Sequence, residues 1–101
     1  MPADDDACRL DVWLWRARLF KSRARAATFC IEDGLRINRI KTGKAHHPVR
    51  PGDVLTLALG AQVRVLRVLS LGTRRGPAAE ARGLYEDLVS SRLAAPHGPA
   101  L

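Results

Sequence analysis

The sequence predicts an α+β fold, with two helices on the N-terminal side, a group of strands, and a helix on the C-terminal side. Apolar residues recur at helical spacing as far as Gly34, and a two-residue alternation of apolar and polar residues follows. Turn signals divide the alternating part into short strands, and Pro77 opens a second stretch with helical spacing. At 101 residues the chain has room for one small domain.

The first helix is expected over about 12–20, because Asp11 can cap its N-terminus and apolar residues recur along it at helical spacing. Both tryptophans of the chain lie in this segment. Trp13 is expected in the core, whereas Trp15 suits core packing and stacking on a nucleobase about equally well.

The second helix is expected over about 23–33. Ser22 is a favourable N-cap, and Gly34 is a suitable residue to end the helix. The buried stripe is expected to be Ala24, Ala27 and Ile31, which recur at helical spacing. The two helices should therefore pack closely through a very short link.

The remaining chain predicts three strand segments and a third helix. Leu35 and Ile37 should face one way in a strand, with Arg36 and Asn38 facing the other. A basic loop over 39–47, a type II turn over 50–53, strands over 54–59 and 62–69 and a basic loop over 72–76 should follow.

The domain is expected over 9–71, with a helix over 77–93 packed on it through Leu84 and Leu88. Residues 1–8 are expected to form a disordered acidic tail, and residues 94–101 a loose one.

The charge predicts a polyanionic partner, because 17 Lys and Arg against 10 Asp and Glu give a net charge of +7. Between Arg9 and Arg50 there are eleven basic residues and three acidic ones, so the surplus is concentrated in this part of the chain. No apolar run is long enough to cross a bilayer, and the acidic N-terminus lacks an apolar signal core. We therefore expect a cytoplasmic protein without a membrane partner.

Catalytic and metal-binding chemistry is not indicated. The serines have no histidine and acid at a suggestive spacing, and the glycines stand singly at turns rather than in a phosphate-binding loop. His46 and His47 are adjacent and would point apart, and Cys8 and Cys30 read as two free thiols. We expect a protein without enzymatic activity, metal or cofactor.

Cations gather where the second helix should begin. Lys21, Arg23 and Arg25 surround an N-terminus that already carries partial positive charge from unpaired N–H groups. A sequence that breaks a local rule in this way often does so at a functional site. The simplest missing partner is an anion, so the helix start is a candidate phosphate site. A plain solvated basic face is the alternative.

The residue pattern resembles the RNA-binding domain named after small-subunit ribosomal protein S-four. The resemblance covers about 9–59 and rests on Arg9-Leu10-Asp11, Trp13-Leu14, Arg18, Lys21-Ser22-Arg23, Ala27, Gly34-Leu35, Ile37-Asn38 and Pro51-Gly52-Asp53. It implies two helices followed by a small antiparallel sheet, with RNA held at the start of the second helix and on the adjoining strand and loop. Arg39 stands where the family commonly has Gly, so a looser turn is expected there.

The candidate RNA-binding residues follow from the charge pattern and from this resemblance together, with Asn38 expected to read a base or a 2′-hydroxyl. They are Arg9, Arg18, Lys21, Ser22, Arg23, Arg25, Arg36, Asn38, Arg39, Lys41 and Lys44.

A closer similarity, carried by 11–15, 20–23, 74–81 and 84–86, is to the bacterial ribosome-associated heat-shock protein fifteen family. It implies binding to ribosomal RNA on dissociated large subunits, with peptidyl-transfer RNA as a further partner, and a role in rescue or recycling of those subunits. Nothing in the sequence itself predicts an obligate partner, so we expect a monomer, and its positive charge would also allow non-specific binding to DNA. An RNA-binding fragment of an RNA-modifying enzyme and a DNA-binding module are the alternatives.

Overall fold

A five-stranded antiparallel sheet and two helices that share its core form the body of the protein. The computed structural model describes residues 7–92. The helices are α1 (Leu10–Arg16), α2 (Arg23–Glu32) and α3 (Ala78–Arg82). The strands are β1 (Cys8–Arg9), β2 (Leu35–Ile37), β3 (Ile40–Thr42), β4 (Pro48–Val49), β5 (Val54–Leu59), β6 (Gln62–Val68) and β7 (Tyr85–Arg92). The α+β class predicted from the sequence is confirmed.

The strands of the large sheet run in the order β3-β2-β5-β6-β7, and every neighbouring pair is antiparallel. A small second sheet pairs β1 with β4, with Cys8 opposite Val49. Alternation along each strand divides the large sheet into a buried face and an open face. On β2, for example, Leu35 and Ile37 are buried and Arg36 is exposed.

The core lies between the buried face and the two helices. Trp13 is fully buried, as predicted, and its indole N–H donates to the Ser70 carbonyl at 2.9 Å. That bond satisfies the one polar group of a large apolar side chain. Leu10 and Leu14 of α1 and Leu55 and Leu66 of the sheet join the same cluster.

Helix α1 begins two residues earlier than predicted and ends earlier as well. Asp11 lies inside its first turn, and the N-cap position belongs to Arg9, whose side chain makes no capping bond. The first N–H groups, of Leu10 and Asp11, instead donate to the carbonyls of His47 and Ala45 at 2.9 and 3.0 Å. Because a distant loop supplies these acceptors, the helix needs no side-chain cap.

The predicted bounds of α2 are nearly correct, but its predicted buried stripe is correct only at Ala27, which is half-buried and packs against the core. Ala26, Phe29 and Cys30 are buried, whereas Ala24 is exposed and Ile31 is 66% exposed. Both sets have helical spacing, and the observed one buries an aromatic ring that contributes more apolar area than an alanine. Gly34 follows the helix at φ +72°, as a residue at this position should.

The predicted helix over 77–93 is correct only as far as Arg82. Beyond Gly83 the chain forms β7, which pairs along β6 from Tyr85 to Arg92. An unoccupied edge of β6 offers a row of hydrogen bonds, and these outweigh the helical spacing of Leu84 and Leu88. The sheet therefore extends past the predicted domain end at 71.

The turn between β2 and β3 is tight, where a looser one was expected. Asn38 and Arg39 have φ values of +52° and +75°, and Ile37 pairs directly with Ile40. Two residues in the left-handed region form the turn type that suits a two-residue hairpin. Part of the loop predicted over 39–47 is therefore strand β3.

The expected tails fall mostly beyond the described residues, which exclude 1–6 and 93–101. Cys8, placed in the N-terminal tail by the sequence, belongs to β1. No helix within residues 7–92 is long and apolar enough to span a bilayer.

Candidate nucleic-acid interface

The start of α2 is capped and surrounded by cations. Ser22 adopts an extended conformation, and its Oγ accepts the Arg25 N–H at 3.1 Å, so its predicted capping role is confirmed. Lys21, Arg23 and Arg25 are all exposed, and the first turn contains no acidic residue. Within residues 7–92 none of the three has a carboxylate within 4.0 Å.

An arginine from the loop after β6 forms hydrogen bonds with the link between α1 and α2. Arg75 donates from Nε to the Trp15 carbonyl at 3.1 Å and from Nη2 to the Phe20 carbonyl at 3.4 Å. Its guanidinium also lies over the Trp15 ring, 5.9 Å from the centroid. Trp15 therefore already has a cationic stacking partner, and Arg75 fixes the main chain directly before Lys21.

Two further arginines bond the end of α1 and the residues after it to the loop that follows β6. Arg18 Nε donates to the Gly76 carbonyl at 2.6 Å, and Arg16 Nη1 donates to the Leu71 and Gly72 carbonyls at 3.3 and 3.0 Å. Arg18, a predicted RNA contact, is thus tied to a loop of the protein itself. The sequence predicted a basic loop over 72–76 but not its bonds to this region, because those bonds join residues more than fifty positions apart in the chain.

Arg9 is an oriented cation rather than a free one. Its Nε and Nη2 donate to the two carboxylate oxygens of Asp11 at 3.1 and 3.0 Å. The Asp11 side chain is 5% exposed and that of Arg9 is 55% exposed. The hydrogen bond to Asp11, followed by its charge, raises the pKa of Arg9 above its ordinary value. Arg9 remains available to a ligand, but with part of its charge already balanced.

Cys30 is buried and Cys8 is half-buried, and burial favours the protonated form of both thiols. Burial raises the pKa of Cys30 to about 11, and the Asp11 charge adds to the rise. Burial also raises the pKa of Cys8, while the positive charges of Arg16 and Arg23 oppose that rise. Among the described residues no group of His, Cys, Asp and Glu is arranged to hold a metal ion.

Asn38 holds the β2–β3 hairpin in place. Its amide oxygen accepts the Val54 N–H at 2.9 Å, its Nδ2 donates to Asp53 Oδ1 at 3.0 Å, and its main-chain N–H donates to the Val54 carbonyl at 2.7 Å. These bonds engage the amide group that was expected to read a base or a 2′-hydroxyl. The structure supports a positioning role, because Asn38 sets the place of the exposed Arg39.

The other basic candidates are displayed on the hairpin and on the loop that follows it. Arg36 faces Lys41 on one side and Thr56 on the other, across the open face of the sheet. Arg36, Arg39, Lys41 and Lys44 are exposed and, in the described part of the chain, have no ion-pair partner. The loop after Lys44 is bonded to the start of α1 through the Ala45 carbonyl.

The predicted site residues therefore form two basic surfaces and a structural group. One surface, the helix-start surface, comprises Lys21, Ser22, Arg23 and Arg25; the other, the hairpin surface, comprises Arg36, Arg39, Lys41 and Lys44. Arg18 and Asn38 are engaged within the protein, and Arg9 is shared between Asp11 and solvent.

This combination of fold and exposed cations defines an RNA-binding domain of the S4 class, and residues 8–55 match the S4 domain family model. The chain is 39% identical over 83 residues to heat shock protein 15 of Escherichia coli K12. The aligned region covers 82% of this chain and 62% of that protein. It is 35% identical to the Haemophilus influenzae homologue, with coverage of 82% and 63%. The chain thus spans less than two thirds of the length of these curated relatives.

A solved relative gives the same result. The heat shock protein 15 of Vibrio cholerae, whose structure is described as trimeric, matches with a TM-score of 0.74 and 30% sequence identity over 80% of this chain and 81% of that one. The chain belongs to the heat shock protein 15 family. The family resemblance drawn from the sequence is confirmed.

Proposed function

We propose that this chain is a non-catalytic, cytoplasmic RNA-binding protein that binds the large ribosomal subunit through ribosomal RNA. In this role it helps to rescue or recycle dissociated large subunits, with peptidyl-transfer RNA as a second contact. The S4 domain and the family membership support RNA as the ligand. The ribosomal target follows from the family resemblance.

The observation that carries the proposal is the unpaired helix-start surface. Lys21, Arg23 and Arg25 repel the positive end of α2, and no carboxylate in the described chain offsets that repulsion. A phosphate at the helix start would accept hydrogen bonds from the free N–H groups and neutralise the cations at the same time. Its binding would turn an unfavourable local arrangement into a favourable one.

The first experiment compares the double variant Lys21→Ala, Arg23→Ala with the charge-matched control Arg74→Ala, Arg82→Ala. We expect the first to lose RNA affinity at least ten-fold and the control to bind nearly as well as the wild type, since each phosphate contact contributes electrostatic free energy. Both should melt near the wild-type temperature, because all four side chains are exposed. Equal loss of affinity in both variants would mean that RNA is attracted by the overall positive charge and would contradict a specific site at the start of α2.

Salt dependence gives an independent measure. If about five phosphates are neutralised, the logarithm of the binding constant should fall with the logarithm of salt concentration at a slope of about −4. An affinity independent of salt would contradict the proposal. Equal affinity for duplex DNA and for structured ribosomal RNA at one salt concentration would favour a DNA-binding module instead.

The ribosomal target is tested by co-sedimentation with separated small subunits, large subunits and intact ribosomes. The expected result is retention on large subunits, strengthened where peptidyl-transfer RNA remains bound. Preference for small subunits or intact ribosomes would contradict the ribosomal part of the proposal while leaving RNA binding intact.

The oligomeric state needs its own measurement. The sequence led us to expect a monomer, whereas the Vibrio cholerae relative is described as trimeric. We therefore propose self-association for this chain as well. Light scattering at the concentrations of the RNA experiments should give a molar mass larger than that of one chain. A molar mass equal to that of one chain would support the monomer expected from the sequence.

A further inference from the structure

An open groove of about 400 Å³ runs along the outer flank of α2. Its floor contains the rings of Phe20 and Phe29, whose centroids lie 5.0 Å apart with planes tilted by 43°. Phe29 is only 9% exposed, whereas Phe20 is half-buried and offers part of its ring to the groove. Ala24 and Thr28, both exposed, form the adjoining wall and leave it low.

The charges along this groove are opposite at its two ends. Arg25 stands at the end near the helix start, and Glu32 and Asp33 stand at the other. Within residues 7–92 neither carboxylate forms an ion pair. Both lie at the C-terminal end of α2, where the helix dipole disfavours negative charge. This end of the helix thus repeats, with reversed sign, the unfavourable arrangement of the helix-start surface.

A polyanion alone does not suit the whole groove, because its phosphates would be repelled by Glu32 and Asp33. A single nucleotide does suit it. Unstacked bases in RNA stack on aromatic side chains, and carboxylates accept hydrogen bonds from the exocyclic amino groups of bases. The phosphate would lie toward Arg25, the ring over Phe20, and the amino group toward the carboxylates.

We propose that this groove binds one unstacked base carrying an exocyclic amino group, such as cytosine, adjacent to the phosphate held at the start of α2. The inference rests on the proposed RNA-binding function and adds a base preference to it. No other described surface combines an aromatic floor with acceptors free of ion-pair partners beside the cations of the helix start.

The test compares short oligocytidylate with oligouridylate of equal length, because these differ at ring position 4 by an amino group against a carbonyl and carry the same phosphates. At fixed salt the wild-type chain should prefer oligocytidylate, on the order of ten-fold. Glu32→Gln combined with Asp33→Asn should bring the ratio near one, since amides donate as well as accept. The matched control Glu80→Gln with Glu86→Gln should keep the preference.

A second pair of variants tests the groove itself. Thr28→Trp would fill it and should weaken oligocytidylate binding several-fold, whereas Ile31→Trp, at an exposed position outside the groove, should not. Near-equal binding of the two oligonucleotides by the wild type, with the normal salt dependence, would overturn the base site and leave the proposed function standing. Absence of RNA binding altogether would overturn both.

Discussion

At the scale of single residues, the backbone of Arg39 carries strain that glycine would relieve. Its φ of +75° is in a region that residues with a Cβ rarely adopt, and Asn38 beside it shares that region. Asn38 tolerates the conformation well and uses its amide to secure the hairpin. Arg39 is exposed, and its side chain forms no hydrogen bond or ion pair with the described part of the chain. Retaining an arginine there makes sense if its charge serves binding.

We expect Arg39→Gly to stabilise the protein by about 1 kcal/mol, because it removes this strain, and to weaken RNA binding, because it removes a cation. Chemical denaturation and RNA titration on the same preparation measure both effects. Arg39→Ala is the control: it keeps the strain and loses the cation, so it should lose affinity without gaining stability. A stabilised Gly variant with unchanged affinity would exclude Arg39 from the interface.

Cys30 links stability to alkaline pH. Its pKa is raised from the ordinary value of 9.0 to about 11, mainly by burial, so the unfolded chain loses this proton at lower pH than the folded one. The contribution of Cys30 to stability is therefore complete below about pH 9 and is lost as pH rises toward 11. In Cys30→Val, a change of similar volume, the free energy of unfolding should fall less over this range. Urea denaturation at several pH values measures the difference.

At the scale of elements, α2 is a helix whose charges oppose its own dipole at both ends. Cations stand at its N-terminus and carboxylates at its C-terminus, and its stability must come from the Ser22 cap and from Ala26, Phe29 and Cys30 in the core. The helix keeps an arrangement that ligand binding can use and that folding alone would not favour.

This conflict predicts that Arg25→Glu stabilises the free protein. Glu three residues after Ser22 would complete a capping box and interact favourably with the helix dipole, together contributing about 0.5–1 kcal/mol. The same change should lower RNA affinity at least ten-fold, since it inverts a charge at the phosphate site. Thermal melting measures both effects. Without RNA the variant should melt at a higher temperature than the wild type, and adding RNA should raise its melting temperature by less than it raises that of the wild type. A variant with reduced stability and intact affinity would contradict the assignment.

At the scale of the whole molecule, the sequence predicts the parts whose signals are local. Ser22, Gly34, the turn at 50–53 and the alternation from Val54 onward each depend on a few neighbouring residues, and their predictions are confirmed. Strand β7 was missed because the spacing of Leu84 and Leu88 fits a helix equally well, and only the free edge of β6 decides otherwise. The groove beside α2 was missed because it depends on Phe20 packing against Phe29 across a turn of the chain.

The arginine contacts between the loop at 72–76 and the link between α1 and α2 should stabilise the whole molecule. Arg75→Ala removes two hydrogen bonds to the carbonyls of Trp15 and Phe20 and the stacking over Trp15. We expect about 1–2 kcal/mol of lost stability and a several-fold loss of RNA affinity, because the main chain before Lys21 is less well fixed. Arg75→Lys should recover little of either, since an ammonium lacks the planar guanidinium that makes both hydrogen bonds while it stacks on Trp15. Arg74→Ala, whose side chain forms an exposed pair with Glu80, is the control.

The contact from Arg75 to Trp15 joins residues sixty positions apart in the chain. A ribosome makes a protein from its N-terminus, so the basic start of α2 is synthesised long before the arginine that fixes it. A growing chain that ends before Arg75 would expose the cations without the clamp that orders them. The protein should therefore acquire its full RNA-binding competence only late in its own synthesis, and truncated products should compete poorly for the RNA that the finished chain binds.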